Sequence, residues 1–129
     1  HRAIQRGLVR ACHDCSEGGL AVALAEMALA GGLGARISLA AVVAEGALSE
    51  ETLLFSESNG RYVVEVAEAD APAFEGLLAE TPYAAIGRVT AEPRLMACGL
   101  HGFLVLALSL EALRQAWRGH LDEPGEACA

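Results

Sequence analysis

The chain has 129 residues, a formal net charge of -8 and 53% hydrophobic residues, of which few are aromatic. This length is typical of one domain with a substantial core, and the high apolar content indicates some surface meant for a partner. The chain has 17 acidic and 9 basic residues, and this negative balance disfavours a nucleic-acid surface, which needs clustered cations. No apolar run approaches the roughly 20 residues of a membrane span. We therefore expect a cytoplasmic protein with neither a nucleic-acid nor a membrane partner.

Apolar residues recur at helical or strand spacing along the chain, and glycines and prolines mark the breaks. In chain order, the first predicted elements are the end of a helix over 1–7, a strand over 8–12, a helix over 17–30 and a strand over 35–39. A short helix starting at Ser49, a strand over 61–67 and a helix capped by Asp70 that ends near Pro82 follow. The last predicted elements are strands over 83–90, 93–98 and 103–108 and a helix starting at Ser109.

Strands separated by helices indicate an α/β domain, and the close succession of strands after residue 83 favours some antiparallel pairing. We therefore predict an α/β fold with a mixed sheet and packed helices. A single domain is expected over residues 1–119, followed by a mobile tail over 120–129.

A dense polar cluster lies where the first strand meets the long helix. The unpaired N–H groups of a helix N-terminus attract anions. The Ser16 hydroxyl and the amides of Gly18 and Gly19 therefore make a candidate phosphate site. The alternative is structural, with Ser16 as an ordinary N-cap.

His13 and Asp14, which precede Ser16, are further candidates for binding a metal or carrying a proton. Asp14 is a candidate Mg²⁺ ligand, because Mg²⁺ prefers oxygen ligands and often bridges a carboxylate to phosphate. Its alternative role is to accept hydrogen bonds from nearby loop amides. His13 is a possible proton carrier, or else a structural donor at the strand end.

A second polar cluster precedes the strand over 61–67. Arg61 can bind phosphate through two N–H groups, and Glu57 and Ser58 are possible ligands beside it. The alternative is a local Glu57–Arg61 ion pair and a turn cap.

Cys12 and Cys15 have the Cys-x-x-Cys spacing of redox pairs and of some zinc sites. The following Ser-Glu-Gly-Gly is not typical of a thioredoxin-type motif. Structural zinc needs two more ligands, whereas Cys98 and Cys128 stand alone in the sequence. Reduced structural cysteines are therefore the simpler interpretation.

All nine basic residues are arginines, so the chain contains no lysine. A phosphate-loop lysine or a Schiff-base lysine is therefore excluded from this chain. Any ATP chemistry must use residues from elsewhere.

Three segments carry a family resemblance. The run His-Asp-Cys-Ser-Glu-Gly-Gly-Leu over 13–20, Leu-Phe-Ser-Glu-Ser over 54–58 and Ile-Gly-Arg-Val over 86–89 resemble, in order, motifs of the phosphoribosylformylglycinamidine synthase family. Cys15, Glu17 and Ser56 depart from the residues usual there. The fold implied is the C-terminal domain of aminoimidazole ribonucleotide synthase-like enzymes.

The activity implied is an ATP-dependent ligase of purine biosynthesis. It would convert formylglycinamide ribonucleotide to its amidine with glutamine-derived ammonia, using ATP and Mg²⁺. The implied partners are upstream ATP-binding domains of the same polypeptide, a glutaminase subunit or domain, and the ribonucleotide substrate. The family's catalytic residues lie outside this chain, so the fragment is expected to bind and orient but to be inactive alone.

Two other function classes stay open at this point. One is a related ATP-dependent enzyme of the hydrogenase-maturation or selenophosphate-synthesis type, and the other is a non-catalytic structural or interaction domain. Whether the parent is the small or the large form of the enzyme is open too, although a chain that ends shortly after Trp117 favours the small one.

Overall fold

The computed structural model describes the backbone of residues 1–122 and the side chains of residues 1–119. Within these residues lie five α-helices and six strands. The helices are α1 (Arg2–Gln5), α2 (Gly19–Gly31), α3 (Glu50–Phe55), α4 (Ala71–Leu77) and α5 (Leu110–Asp122). The strands are β1 (Val9–Asp14), β2 (Gly34–Ser38), β3 (Tyr62–Val66), β4 (Gly87–Thr90), β5 (Arg94–Cys98) and β6 (Leu104–Ser109). None of these helices combines the length and the apolarity needed to cross a membrane.

The strands form two separate sheets. The larger sheet has the order β4-β2-β5-β6, in which β2 and β5 run parallel and the other neighbours run antiparallel. The prediction of an α/β fold with a mixed sheet and packed helices is therefore confirmed. In addition, β1 and β3 pair antiparallel in a two-stranded sheet of their own.

Helix α2 packs against both sheets and is central to the core. Its buried positions are nearly all small or aliphatic: Gly19, Leu20, Ala21, Ala23, Leu24 and Ala28. They meet the most deeply buried leucines, Leu39 and Leu95, and the inner residues of α3. Each buried leucine contributes roughly 1.5–3 kcal/mol of transfer free energy, and the alanines allow close approach of the backbones.

The caps of two helices follow their sequence signals. The Ser49 hydroxyl accepts a hydrogen bond from the Thr52 N–H at the start of α3, and the Ser109 hydroxyl accepts one from the Ala112 N–H at the start of α5. Asp70 precedes α4 as expected, but its side chain caps no N–H group and lies 4.0 Å from Arg10 instead.

Several predicted boundaries differ from the structure. Strand β1 continues two residues beyond Cys12, because His13 and Asp14 pair with β3. The helix expected over 17–30 begins two residues later, at Gly19. Strand β4 covers only the last part of the predicted 83–90, and α4 ends well before Pro82.

The C-terminal boundary also differs. Helix α5 continues through Asp122, three residues past the domain boundary predicted at residue 119. The rest of the expected mobile tail, 123–129, lies outside the described residues.

Candidate functional site

The candidate site is the turn between β1 and α2. Antiparallel pairing with β3 places Asp14 opposite Tyr62. Immediately after the strand, the Cys15 N–H donates to the Arg61 carbonyl at 3.0 Å, and the Cys15 side chain is buried in the core. The turn is thus anchored at its first residue, and Ser16 to Gly18 project toward solvent.

Asp14 and Ser16 form a hydrogen-bonded pair on the outer side of this turn. The Ser16 hydroxyl donates to the Asp14 Oδ2 atom. This bond is the main cause that lowers the pKa of Asp14 below its usual value, so the carboxylate is ionised at neutral pH. Because the Asp14 side chain is 52% exposed, an external ligand can reach it.

The N-terminus of α2 already holds an acidic side chain. The Gly18 N–H donates to Glu57 Oε1 at 2.9 Å, across 39 residues of sequence. Glu57 therefore occupies the position at the positive end of the helix dipole where an anion would bind. A phosphate that used this amide would have to displace Glu57.

Ser16 does not act as the N-cap. The N-cap is Gly18, in the left-handed conformation with φ 69°, and it has no side chain to bond the first turn. The capping alternative for Ser16 is therefore wrong, because its hydroxyl bonds the Asp14 carboxylate instead.

Gly19 is required by packing. A Cβ atom on Gly19 would lie 2.7 Å from the Phe55 carbonyl carbon and 2.8 Å from the Leu54 carbonyl oxygen, and its φ is +68°. The start of α2 therefore rests directly on the backbone at the end of α3. The same contact brings the segment that follows α3 beside the turn.

His13 faces α2 from strand β1. Its Nε2 atom lies 2.7 Å from Glu26 Oε2, and its Nδ1 atom lies 2.6 Å from the Asp14 carbonyl. The bond to the carbonyl, helped by Glu26 and opposed by burial, raises the pKa of His13 above 6.5. The sequence analysis missed Glu26, although it is the single charged residue within α2.

The second polar cluster contacts the turn through the Glu57 side chain and through the Arg61 backbone carbonyl. Arg61 donates to the Ser56 hydroxyl at 2.9 Å and to the Leu53 carbonyl at 3.5 Å. Ser58 donates to the same hydroxyl at 3.5 Å. The alternative of a Glu57–Arg61 ion pair is not realised, since Glu57 bonds Gly18 instead.

The cysteines do not have the environment of a redox pair. Cys12 is exposed on β1, whereas Cys15 is buried and its burial raises the pKa of the thiol. An attacking thiol needs the opposite, a lowered pKa and access to solvent. Cys128 lies outside the described residues.

The side chains of residues 1–119 do not form a complete metal centre by themselves. Among residues 1–119, no three His, Cys, Asp or Glu side chains converge as metal ligands. Asp14 offers one exposed carboxylate, and Mg²⁺ bound to a single carboxylate needs substrate phosphates or other domains to complete its shell. Asp14 thus fits only as one ligand of a shared Mg²⁺ site.

Comparisons with known proteins agree with this fold. The AIR synthase related protein C-terminal domain family matches residues 1–97. The phosphoribosylformylglycinamidine synthase subunit PurL of Deinococcus radiodurans is 41% identical over 114 residues, which are 88% of this chain and 15% of that protein. PurL of Moorella thermoacetica is 43% identical over 124 residues, again 89% of this chain and 15% of that protein.

Solved structures share the architecture. T. maritima PurL complexed with ATP superimposes with a TM-score of 0.77 at 24% identity, over 87% of this chain and 20% of that one. T. maritima PurL complexed with FGAR also gives 0.77 at 24% identity. The chain spans about 15% of the length of the curated relatives it matches. The resemblance seen in the three sequence motifs is thereby confirmed, and the chain belongs to the AIR synthase related family as a C-terminal domain.

Proposed function

We propose that this chain is the C-terminal domain of a phosphoribosylformylglycinamidine synthase. The parent enzyme would be the ATP-dependent ligase that converts formylglycinamide ribonucleotide to its amidine with glutamine-derived ammonia. The observation that carries the proposal is the 41% identity to a PurL subunit over 88% of the chain. T. maritima PurL, which has the same fold, has been solved in complexes with ATP and with FGAR. These names favour a synthase over the hydrogenase-maturation and selenophosphate alternatives.

Within that enzyme, the chain would bind and orient rather than catalyse. It has no lysine, and among the described residues the exposed Asp14 carboxylate belongs to no group of three converging metal-ligating side chains. ATP would be the cosubstrate of the parent, and Mg²⁺ would be its metal. Asp14 would contribute one oxygen ligand to that shared ion.

The β1–α2 turn would be the wall that contacts an anionic ligand. The Ser16 hydroxyl and the amides of Gly18 and Gly19 would face the phosphate once Glu57 leaves the Gly18 N–H. That exchange is feasible because the Gly18–Glu57 bond is exposed, and the about 1.5–3 kcal/mol that a hydrogen bond to a charged group contributes would be regained when a phosphate accepts from the same amide. His13, Ser58 and Arg61 would support the turn through their local bonds, and Arg61 would need to leave Ser56 to reach a phosphate.

The remaining domains of the parent would cover the exposed apolar residues around β6, α5 and the end of α3, a region that we call the apolar face. In this region Phe103, which directly precedes β6, is 76% exposed and Trp117 on α5 is 56% exposed, and Trp117 lines a groove of about 300 Å³ between α2, β6 and α5. Strand β6 is an edge strand whose residues are apolar on both faces, which is typical of strands covered on both sides. We assign this face to upstream domains of the same polypeptide.

A glutaminase is a further proposed partner of the parent enzyme. A solved structure titled PurLQS from Thermotoga maritima has the same fold over 87% of this chain, with a TM-score of 0.77. The relatives are named as subunits, which favours the small form of the enzyme with a separate glutaminase.

A domain replacement tests the proposal. The 114 matched residues of the D. radiodurans PurL subunit would be exchanged for this chain, and amidine synthesis would be measured with formylglycinamide ribonucleotide, ATP and ammonium. Ammonium removes the need for the glutaminase. We expect turnover that is absent without ATP, and no turnover from the 129-residue chain alone. A hybrid that melts cooperatively like the parent subunit yet forms no amidine would contradict the proposal.

A further inference from the structure

A continuous line of polar contacts leads from the middle of α2 to the turn. Glu26 Oε2 lies 2.7 Å from His13 Nε2, and His13 Nδ1 lies 2.6 Å from the Asp14 carbonyl and 3.5 Å from Asp14 Oδ1. The Ser16 hydroxyl bonds the other carboxylate oxygen of Asp14. The Asp14 carboxylate is therefore held on one side by the imidazole and on the other by the hydroxyl.

The two hydrogen-bond partners of His13, the Glu26 carboxylate and the Asp14 carbonyl, fix the orientation of its imidazole ring. A carboxylate and a carbonyl can only accept hydrogen bonds, so both ring nitrogens of His13 donate when the imidazole is protonated. A ring bonded at both nitrogens is held in one orientation. Without an acceptor at Nε2, the ring is free to turn, and Asp14 loses the neighbour on its Oδ1 side.

The position of Glu26 has no explanation in the packing of α2. It is the only charged residue in a helix whose other members are apolar, and its side chain is just 31% exposed. Placing a carboxylate in such surroundings costs free energy unless it is paired. Among the described residues its ion-pair partner is His13.

We infer that Glu26 is a positioning residue that orients the Asp14 carboxylate through His13. The inference rests on the proposed function, in which Asp14 contacts the nucleotide or its metal. Groups that orient a ligating residue from behind change affinity or activity by about 10–100-fold when they are removed. We expect removal of Glu26 to have an effect at the lower end of this range, because Ser16 still bonds the other carboxylate oxygen of Asp14.

The test uses the domain-replaced PurL subunit with Glu26→Leu, which removes the acceptor and suits an apolar helix. We expect the KM for ATP to rise about tenfold with a much smaller change in kcat, and Glu26→Gln, which keeps an acceptor oxygen, to recover most of the loss. Binding of ATP measured by titration calorimetry without the ribonucleotide should weaken equally. Glu92→Leu is the matched control, since Glu92 is paired with Arg36 at 3.2 Å on a distant turn.

A second measurement does not depend on activity. In the 129-residue chain, nitrogen-15 NMR should show N–H protons at both ring nitrogens of His13, and Glu26→Leu should remove the one at Nε2. If Glu26→Leu does not fold, Glu26→Ala replaces it, because alanine is the best helix former.

The outcomes separate the two proposals. A folded hybrid without turnover overturns the proposed function and this inference with it. An active hybrid whose ATP affinity is unaffected by Asp14→Asn shows that Asp14 does not contact the ligand, which overturns the positioning role alone. The same holds if Asp14→Asn weakens binding while Glu26→Leu leaves both the KM and the imidazole signals unchanged.

Discussion

The β1–α2 turn and the apolar face of β6 and α5 differ in how many of their exposed groups find partners within the chain. At the turn, three polar groups have partners within the chain: Asp14 bonds Ser16, Gly18 bonds Glu57, and His13 meets Glu26. On the apolar face, Phe103 and Trp117 remain mostly in water. The contrast indicates that this chain can preorganise its polar turn alone, whereas its apolar face, under the proposed function, would be completed by another domain.

Under the proposed function, this contrast would explain how the chain could carry part of a site and still be inactive alone. Internal partners hold the turn in one conformation before any ligand arrives, which lowers the entropic cost of binding. They also compete with the ligand, since Glu57 occupies the Gly18 amide. Exclusion of water by a second domain would strengthen the interactions of the turn with an anion.

The largest effect is expected at Gly19, where the turn rests on α3. A Cβ atom there would meet backbone atoms at 2.7 to 2.9 Å in a left-handed conformation. Gly19→Ala should therefore lower the free energy of unfolding by about 3 kcal/mol, from backbone strain and overpacking together. Urea unfolding of the 129-residue chain would measure it.

Gly31→Ala in the same helix is the control for Gly19. Its Cβ would meet no atom within 4 Å and its φ is not positive, so we expect a stabilisation of about 0.5–1 kcal/mol. Equal effects of the two substitutions would show that the contact between α2 and α3 is not tight.

The second effect tests the apolar face. Phe103→Asp should change the stability of the isolated chain by no more than about 0.5 kcal/mol, because the side chain is 76% exposed. In the domain-replaced subunit the same change would bury an unpaired carboxylate, and the melting temperature should fall clearly. Equal melting temperatures with and without the substitution would show that no domain covers this face.

Cys15 gives a third, smaller effect at the base of the turn. Cys15→Val should change the free energy of unfolding by about 1 kcal/mol or less, since the side chain is buried and the swap is similar in volume. Cys15→Ser should cost more, about 1–3 kcal/mol, because it places a hydroxyl among apolar neighbours. Release of a bound metal by Cys15→Val would instead restore the zinc interpretation.

The two regions also differ in how far the sequence predicts them. Local signals sufficed for two helix caps, since Ser49 and Ser109 bond the N–H groups that their positions predict, but not for Asp70, whose side chain caps no N–H group. The mixed sheet followed from the alternation of strands and helices. The apolar face was expected only as an excess of apolar residues, because strand order decides that β6 is at an edge.

The position of the turn along the chain was predicted, but the residues that it contacts were not. Its bonds join residues far apart in sequence, such as Gly18 and Glu57, and no local pattern reports such a pairing. The later start of α2 has the same origin, since pairing with β3 extends β1 to Asp14. Glu26 had one usable signal, a lone charge in an apolar helix, but its partner becomes visible only when β1 faces α2.

The smallest expected effect is a pH dependence of stability from His13. Folding raises the pKa of its imidazole, through the bond to the Asp14 carbonyl and the nearby Glu26 carboxylate. The folded state therefore binds the proton more tightly than the unfolded state does. This contribution is fully present below the unfolded pKa of about 6.5 and is lost as the pH rises through the folded pKa.

Urea unfolding at a series of pH values between about 5 and 9 would measure this loss against His13→Gln, which cannot titrate. We expect the difference in stability between the two chains to shrink as the pH rises, and Glu26→Leu to shrink it further, because part of the attraction to the proton comes from Glu26. A difference that stays constant across the series would mean that His13 has the same pKa in both states. Ser16 and Glu57 alone would then preorganise the turn, and the polar network would not include His13 and Glu26.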